Sequence, residues 1–576
     1  MVNKNNKKRK GKTSTVDTLS LNWRIYTLFL IFTLISAGLL FRLYDLQIVK
    51  GKYYTALARG QGVDVETNIP RGEIYFQDNA GEGVYIAAAN KELFVAYADP
   101  KEVSDERLVL DKVSEAVIVP TEDEIKILER LQNKNSSYAL IARNLTEEQS
   151  TKLREMKLPG VYTRVELLRY YPAGEVAAHV LGFLGFSGSD RTGQYGVEEY
   201  YNPLLAGSAQ NNSLLGNLFS FGGENSTDVE LTIDYGIQFV VEKKLEEVVN
   251  RYDAVSGTAI FMDPKTGAVI AMANFPDYNP NTYNEIEDIH VLHNNAVQSV
   301  YELGSVFKPI TLAAAMDGVV ITPQTTYVDT GKVELSGYTI RNSDLKAHEE
   351  QTMTQVMEKS LNTGVVYAQQ ELGKKKFREY LENFQLHKKT GIDLPGEVEG
   401  NIKNIQNTNR DINFATASFG QGISLSPIRF LSSISAIANG GVMMKPYVVK
   451  KIVTENGSRD TVPEEAGRPI SAMTASRITA MMVSAVDNGY GSKAAVPGYS
   501  MAGKTGTAQI PNEGSAGYSS KTLHSFVGFV PAYDPKFIGI IIMNDPKGIR
   551  FSSDSVAPTF RDISSFILQY YKVPPK

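Results

Sequence analysis

Three short motifs supply side chains able to carry out acyl transfer through an activated serine. They are Ser305-Val-Phe-Lys308, Ser360-Leu-Asn362 and Lys504-Thr-Gly-Thr507, in this order and at wide spacing. Together they provide a nucleophile, a base, a pair for proton relay and a cation for a carboxylate. A serine hydroxyl needs a nearby base before it attacks a carbonyl carbon, so these residue types belong together. No single motif is specific, but the ordered triple is.

Local sequence separates the first motif from a second Ser-x-x-Lys copy. Ser305 precedes the small, apolar run 309–316, which predicts a loop entering a buried helix. Pro309 suits the first helical turn, where its missing N–H leaves no bond unmade. A spacing of three residues in a helix would place Ser305 and Lys308 on one face, within reach of each other. The copy Ser343-Asp-Leu-Lys346 is polar all round and indicates a solvated loop.

Lys-Thr-Gly occurs three times, beginning at Lys265, Lys389 and Lys504. The first copy joins two apolar runs and predicts a hairpin turn, and the second leads into further turn residues. Only the third continues into Thr507 and, after a polar loop, into an apolar run that starts at His524. Two strands separated by a loop would place Lys504 and Thr507 at a sheet edge beside the serine.

With these motifs the sequence resembles the penicillin-binding transpeptidase superfamily and, within it, the class B penicillin-binding proteins. The resemblance covers nearly the whole chain. Four further stretches are similar to the family's N-terminal boxes and to its run before the third motif: Arg71-Gly-Glu-Ile74, Arg169 to Gly182, Gly193 to Gly207 and Ala415 to Gly422. Departures from the family pattern, none at a group that does chemistry, are Leu303 for Pro, Asn294-Asn-Ala296 for Asn-Arg-Ala, and a displaced Asp78-Asn-Ala-Gly81.

The resemblance implies a catalytic role for the residues of the first two motifs. Ser305 would be the nucleophile, and Lys308 would remove its proton once Lys308 is neutral. Its pKa must then fall well below the free value of roughly 10.4, which burial and the cation Lys504 both favour. Ser360 would relay protons to the leaving amine, and Asn362 would hold Lys308 and the substrate amide.

The third motif would bind the donor peptide. The resemblance implies that Lys504 and Thr505 hold its terminal carboxylate, and Gly506 would let the backbones approach closely. The backbone N–H groups of Ser305 and Thr507 would form an oxyanion hole, each donor lowering the barrier by roughly 3–4 kcal/mol.

A hydrolytic reading rests on Glu358-Lys-Ser-Leu-Asn362. It matches the Glu-x-x-Leu-Asn of β-lactamases with a catalytic glutamate, but it overlaps Ser360-Leu-Asn362. One asparagine would have to fill two positions, so we interpret the match as coincidence. Without a placed deacylating base the acyl-enzyme should persist until an amine arrives, which favours transpeptidation.

The N-terminus predicts a membrane anchor. Residues 1–23 form a basic tail with six cations ahead of any acidic residue, and the span from Ile25 to Phe41 has no charge. Residues 24–43 are therefore predicted to be a single transmembrane helix in the cell membrane. The positive charge places the tail in the cytoplasm and the catalytic domain outside it. A cleaved signal peptide is the alternative, disfavoured because the apolar run continues past Ser36-Ala-Gly38.

Composition narrows the classes of function. The chain has no cysteine, six scattered histidines and a net charge of −5 over 576 residues. These values indicate neither a disulfide framework, a metal site nor nucleic-acid binding, and no cofactor is expected. His179 and His524 are interpreted as core or loop residues rather than ligands.

Length and pattern predict an α+β multidomain protein. Residues 44–228 would be the elongated, dimerisation-type pedestal of the family, ending in the Gly, Ser and Asn-rich stretch 211–228. Residues 229–576 would be the transpeptidase domain, in the family a helical cluster on a five-stranded antiparallel sheet. A glycosyltransferase domain has no room before the pedestal, so another enzyme would polymerise the strands.

The predicted function is a D,D-transpeptidase that cross-links peptidoglycan stem peptides. It would attack D-Ala-D-Ala, release D-Ala, pass the acyl group to a neighbouring amine and be acylated by β-lactams. The resemblance is greatest to the septal, cell-division branch, that of penicillin-binding protein 3. Its expected partners are the membrane, a polytopic lipid II glycosyltransferase and other division or elongation membrane proteins. The alternatives are an elongation-type transpeptidase, a D,D-carboxypeptidase or β-lactamase, a β-lactam sensor and a non-catalytic divisome scaffold.

Overall fold

The structure is a computed structural model that describes residues 70–79, 83–117, 121–187, 190–207, 226–407, 410–512, 514 and 517–575, with positions 29, 32, 33, 36 and 39. The described residues form two compact units, one of residues 92–167 and one of residues 70–91 with the described part of 168–575. The predicted tail (1–23) and, apart from those five positions, the predicted transmembrane helix (24–43) lie outside the described residues. Within the described part of the chain, no helix has the length and apolar character needed to cross a membrane.

The strands of the described residues, in chain order, are β1 (Ile74–Asp78), β2 (Gly83–Ala98), β3 (Ala139–Leu145), β4 (Val161–Tyr170), β5 (Phe183–Ser187), β6 (Asp190–Gln194), β7 (Asp228–Asp234), β8 (Ser256–Met262), β9 (Val269–Phe275), β10 (Thr326–Asp329), β11 (Lys332–Leu335), β12 (Tyr338–Arg341), β13 (Glu349–Thr352), β14 (Met443–Met444), β15 (Val449–Thr454), β16 (Gly457–Asp460), β17 (Glu465–Gly467), β18 (Ala502–Pro511), β19 (Tyr518–Val530) and β20 (Phe537–Asn544).

The α-helices are α1 (Glu106–Ala116), α2 (Thr121–Gln132), α3 (Glu147–Glu155), α4 (Ala178–Leu181), α5 (Gly196–Tyr200), α6 (Asn202–Leu205), α7 (Tyr235–Arg251), α8 (Asn295–Gln298), α9 (Lys308–Asp317), α10 (Met353–Glu358), α11 (Asn362–Leu372), α12 (Lys374–Asn383), α13 (Lys403–Gln406), α14 (Asp411–Ala417), α15 (Pro427–Ala438), α16 (Ala472–Asp487) and α17 (Val556–Tyr570). The 3-10 turns Gly304–Phe307 and Ser552–Asp554 also contribute to the site.

The smaller unit packs α1, α2 and α3 on β3, the last part of β2, and β4, which also pairs with β2. The last part of β2 pairs antiparallel with β3, over a core that includes Leu110, Leu131 and Leu153. Thr146 and Gln149 form a capping box that satisfies the first N–H groups of α3. This unit carries none of the three motifs.

A five-stranded antiparallel sheet organises the part of the larger unit that holds the motifs, in the order β18-β19-β20-β8-β9. Its strands are apolar on both faces. In β8, for example, Ile260 and Met262 lie in one hydrophobic core, and the alternating residues Ala259 and Phe261 lie in the other. Helices α7 and α17 line the second core, and a helical cluster with α9, α11 and α15 lines the first. The predicted five-stranded antiparallel sheet of an α+β fold is confirmed.

A second sheet joins distant parts of the chain in the larger unit. Within it β16, β15, β7, β1 and the first part of β2 are neighbours, and β1 runs parallel to β7. Strand β7 spans the predicted boundary between pedestal (44–228) and transpeptidase domain (229–576), and it also pairs with β15. These boundaries stay predictions, since the strand at the junction belongs to one sheet with residues from both sides.

Three of the N-terminal stretches meet at the buried carboxylate of Glu198. Arg71 Nε donates to Glu198 Oε2 at 2.6 Å, and Arg169 Nε donates to Oε1 at 2.7 Å. Tyr171 also donates its hydroxyl to Oε1 at 3.1 Å, and Arg71 Nη1 donates to Asn202 Oδ1 at 2.8 Å. Burial raises the pKa of Glu198, but the two guanidinium groups more than offset this and hold it below its ordinary value.

Replacing Glu198 with Gln should destabilise the larger unit by about 3–5 kcal/mol at pH 7, because it leaves two buried guanidinium groups without a counter-charge. Since the folded-state pKa of Glu198 lies below 4.5, its contribution is present above that pH and is lost as the pH falls further. Thermal unfolding at pH 7 and pH 3 should therefore show a gap between wild type and variant that narrows in acid. The exposed neighbour Glu199→Gln is the control, and an equal effect there would contradict the assignment.

Candidate active site

Ser305 lies where a 3-10 turn enters a buried helix, as the local sequence predicts. The turn Gly304–Phe307 leads directly into α9, whose residues from Lys308 to Met316 are all buried, with Pro309 in the first turn. Gly304 adopts a positive φ of 64° and a Cβ there would lie 2.8 Å from that of Ala508, so the turn packs tightly on β18. Ser305 itself is partly exposed, which leaves its hydroxyl accessible to a substrate.

Ser360 owes its position to the end of helix α10. The N–H of Leu361 donates to the Val356 carbonyl at 3.0 Å and the N–H of Ser360 to that of Met357 at 3.4 Å, which is a Schellman motif. Ser360 takes the left-handed position of this motif, with φ of 55°. That position favours glycine, so a serine there costs roughly 1–2 kcal/mol of backbone strain. The strain coincides with the residue expected to relay protons.

Two buried lysines meet at the hydroxyl of Ser360. Lys308 Nζ donates to Ser360 Oγ at 3.1 Å and to the Ser360 carbonyl at 2.5 Å. Lys504 Nζ donates to the same Oγ at 2.9 Å. Lys308 is 0% exposed and Lys504 2%. Both acceptor positions of the Ser360 hydroxyl are therefore occupied, and its own proton can only be donated elsewhere.

Burial keeps the first lysine ready to act as a base. It lowers the pKa of Lys308 well below its ordinary value of 10.5, and the nearby Lys504 cation lowers it further. Burial also lowers the pKa of Lys504 to about 7. Two ammonium groups on one oxygen in a dry interior would repel strongly, which favours the neutral form of Lys308. A neutral Lys308 can donate two N–H groups to Ser360 and keep its lone pair for a proton.

The third motif forms the edge strand of the five-stranded sheet, as predicted. On β18, Lys504 pairs with Val527 of β19 and Thr507 pairs with His524. Gly506 lies against the serine turn: a Cβ there would be 2.4 Å from Ser525 Oγ and 3.0 Å from the Leu303 carbonyl. The glycine therefore allows β18 to approach the turn that carries the nucleophile.

The remaining motif residues lie beside this core with contacts of their own. Thr505 Oγ1 accepts from Lys504 Nζ at 3.4 Å, and Thr507 Oγ1 donates to Ser552 Oγ at 3.2 Å. Asn362 begins α11 and its amide donates to the Arg341 carbonyl at 2.8 Å.

Two predicted contacts are not found as hydrogen bonds within the described residues. One is between Ser305 and Lys308, and the other is between Asn362 and Lys308. Lys308 Nζ is bonded to Ser360 instead. Catalytic hydrogen bonds often form only with substrate bound, so both roles stay predictions.

The rival motif copies lie in turns and loops, as predicted. Lys265 lies in the hairpin between β8 and β9, closed by the Gly267 N–H on the Asp263 carbonyl at 2.9 Å. Ser343 lies in an exposed turn between β12 and β13, and Lys389 in an exposed loop. Local sequence alone was enough to exclude all three.

Sequence reasoning missed Glu302, a carboxyl group three residues before the nucleophile. Tyr518 donates its hydroxyl to Glu302 Oε2 at 2.9 Å from strand β19. Burial raises the pKa of Glu302 above its ordinary value. Its position three residues before Ser305 was the only hint in the sequence that Glu302 lies near the site. The fold was needed to show that Tyr518 on β19 contacts it.

A partly exposed serine lies one helical turn before a buried lysine of lowered pKa, at the edge of a five-stranded antiparallel sheet backed by helices. This fold and site define a transpeptidase of the penicillin-binding kind. Residues 257–565 match the family described as the penicillin binding protein transpeptidase domain. Residues 66–215 match the penicillin-binding protein dimerisation domain. The chain belongs to this family, and its predicted membership of the class B penicillin-binding proteins is confirmed.

Individual relatives agree along most of the chain. Stage V sporulation protein D of Bacillus subtilis is 31% identical, over 95% of this chain and 86% of the relative. Peptidoglycan D,D-transpeptidase FtsI of Escherichia coli K12 is 28% identical, over 99% of this chain and 95% of the relative. The crystal structure of penicillin-binding protein 3 from Mycobacterium tuberculosis complexed with aztreonam is 30% identical, covers 72% of this chain and 92% of its own, and superposes with a TM-score of 0.63.

Replacing Ser360 with Gly should abolish turnover yet leave a more stable protein than replacing it with Ala. Both variants lose the shared hydroxyl, but only glycine relieves the positive φ, so the Gly variant should be more stable by about 1 kcal/mol. Calorimetric unfolding of the two variants checks this. A lower unfolding temperature for Gly than for Ala would show that the left-handed position carries no strain.

Non-covalent binding of benzylpenicillin should weaken by about tenfold between pH 6 and pH 8, because Lys504 loses its proton around pH 7. Rapid-mixing kinetics separate this binding step from the acylation step that follows it. Benzylpenicillin methyl ester has no carboxylate and serves as the control. The same weakening with the ester would contradict a carboxylate role for Lys504.

Proposed function

We propose that the chain is a peptidoglycan D,D-transpeptidase that cross-links stem peptides through an acyl-enzyme on Ser305. The observation that carries the proposal is the hydroxyl of Ser360, which accepts hydrogen bonds from both Lys308, whose pKa is lowered by burial, and Lys504. The Escherichia coli relative is by name a peptidoglycan D,D-transpeptidase, and the Mycobacterium tuberculosis structure holds a β-lactam. These names support the same donor chemistry here.

The first half-reaction transfers the donor to the enzyme. The lone pair of Lys308 takes the Ser305 proton, and Ser305 Oγ bonds to the carbonyl carbon of the penultimate D-Ala. The backbone N–H groups of Ser305 and Thr507 stabilise the oxyanion. As the C–N bond breaks, Ser360 gives its proton to the leaving nitrogen and is reprotonated from Lys308, so D-Ala departs as a neutral amine.

The second half-reaction reverses these transfers with a new amine. The acceptor amine of a neighbouring stem attacks the ester carbonyl, its proton passes to Ser360 and Lys308, and the C–O bond to Ser305 breaks. Ser305 recovers its proton from Lys308, and a new amide cross-link leaves. Lys504 and Thr505 hold the donor carboxylate during the first half-reaction, and Asn362 orients the substrate amide.

Hydrolysis is the less favoured function because Glu358, the glutamate of the β-lactamase-like match, already accepts a hydrogen bond from another helix. Ser484 of α16 donates its hydroxyl to Glu358 Oε1 at 2.5 Å. Glu358 is the last residue of α10 and lies two residues before Ser360 in the sequence. Its carboxylate is directed towards α16. The acyl-enzyme is therefore expected to wait for an amine.

The proposed setting is the outer face of the cell membrane during septal wall synthesis. Residues 24–43 would anchor the chain with 1–23 in the cytoplasm, residues 44–228 would form the pedestal and 229–576 the transpeptidase domain. A polytopic lipid II glycosyltransferase and other division membrane proteins would be its partners. The FtsI relative supports the septal branch, while elongation-type and scaffold roles are the alternatives that cell-division phenotypes would distinguish.

Incubation of the full-length protein with benzylpenicillin should add one penicilloyl group on Ser305, and Ser305→Ala should lose it. Ser343→Ala removes the serine of the second Ser-x-x-Lys copy and should label like wild type. Intact-protein mass over several hours reads out both the adduct and its lifetime. An adduct lost rapidly with turnover would make the protein a hydrolase, and no adduct would favour the scaffold.

A further inference from the structure

A segment beyond the last strand of the sheet returns to the third motif. It comprises residues 550–555, contains the 3-10 turn Ser552–Asp554 and leads into α17. Ser552 is 1% exposed, although the segment is a connection between β20 and α17. None of the roles described above accounts for the burial of this serine.

Ser552 makes two hydrogen bonds to the side chain of Thr507. Its backbone N–H donates to Thr507 Oγ1 at 3.1 Å, and Thr507 Oγ1 donates to Ser552 Oγ at 3.2 Å. A hydroxyl has one proton and two acceptor positions, so the bond between the two hydroxyls can reverse. Ser552 Oγ then donates to Thr507 Oγ1, and the Thr507 proton is free to point at a ligand while its oxygen stays in place.

His524 holds the segment from the neighbouring strand. It lies opposite Thr507 in the β18–β19 register. Its Nδ1 is 2.9 Å from Ser555 Oγ, and its ring also bonds the backbone of Arg550. The imidazole therefore contacts both ends of segment 550–555, with Ser552 between them. His524 is 0% exposed and burial lowers its pKa to about 4, so it adds no charge beside Thr507 at pH 7.

We infer that Ser552 is a positioning residue of the donor-carboxylate subsite, held in place by His524. The inference rests on the proposed function, because it concerns the donor that Ser305 attacks. Ser552 orients the Thr507 hydroxyl so that it donates to the free C-terminal carboxylate of the donor beside Lys504. A ligand without that carboxylate gains nothing from this hydrogen bond, so Ser552 contributes to selection for a free carboxylate.

Acylation of the full-length protein by benzylpenicillin and by its methyl ester tests this. Ser552→Ala leaves the Thr507 hydroxyl without the partner that orients it, so the second-order rate constant for benzylpenicillin should fall by about fivefold, the loss expected for one neutral hydrogen bond, and that for the ester should stay within about twofold. Ser552→Thr keeps a hydroxyl and should recover most of the loss. His524→Phe should lower the ratio of the two rate constants in the same direction as Ser552→Ala.

Ser553→Ala is the matched control, because this neighbouring serine makes no side-chain hydrogen bond within the described residues. It should leave both rate constants unchanged. Equal losses for the two ligands on Ser552→Ala would assign Ser552 a purely structural role, and no loss for either would remove its role altogether; both results overturn the inference. A wild-type protein that forms no adduct with either ligand would overturn the proposed function and this inference with it.

Discussion

One hydroxyl oxygen shared by two buried lysines is the constraint on which the site depends. An ammonium group in a dry interior is costly, and two on the same oxygen are costlier still. The fold meets this constraint by lowering the pKa of Lys308, and a neutral amine is the base that a serine nucleophile requires. The same burial therefore both limits the charge of the site and supplies its base. Removing water from Lys308 is thus part of the chemistry and not only of the packing.

Three elements from distant parts of the chain have to be rigid for this arrangement to hold. Ser360 ends a helix, Lys504 lies on an edge strand, and Ser305 and Lys308 begin a buried helix. The five-stranded sheet is packed on both faces, which fixes the edge strand, and Gly506 lets that strand contact the serine turn. Such over-determined surroundings are what allow Ser360 to remain at a positive φ.

Charge is handled differently at Glu198, the other buried ionic centre. There a carboxylate is matched by two guanidinium groups and remains ionised, whereas within the described residues no carboxylate forms an ion pair with Lys308, whose pKa is lowered instead. A buried charge that is paired with counter-charges makes the fold more rigid, whereas a buried lysine without a counter-charge has the lowered pKa that catalysis requires. The class B penicillin-binding protein fold contains both within one compact unit.

The sequence by itself determined the three motifs, the choice among their copies, the buried helix after Ser305 and the edge strand at Lys504. Hydrophobic runs, glycines and turn residues act locally, so they can be interpreted without the fold. Only the tertiary structure decided that Lys308 bonds Ser360 and not Ser305, that Asn362 turns to Arg341, and that Glu302 and Ser552 border the site. Lys308 and Ser360 are 52 residues apart in the sequence, and Lys504 and Ser360 are 144 residues apart. Side chains that far apart meet through the packing of whole elements, which no local pattern encodes.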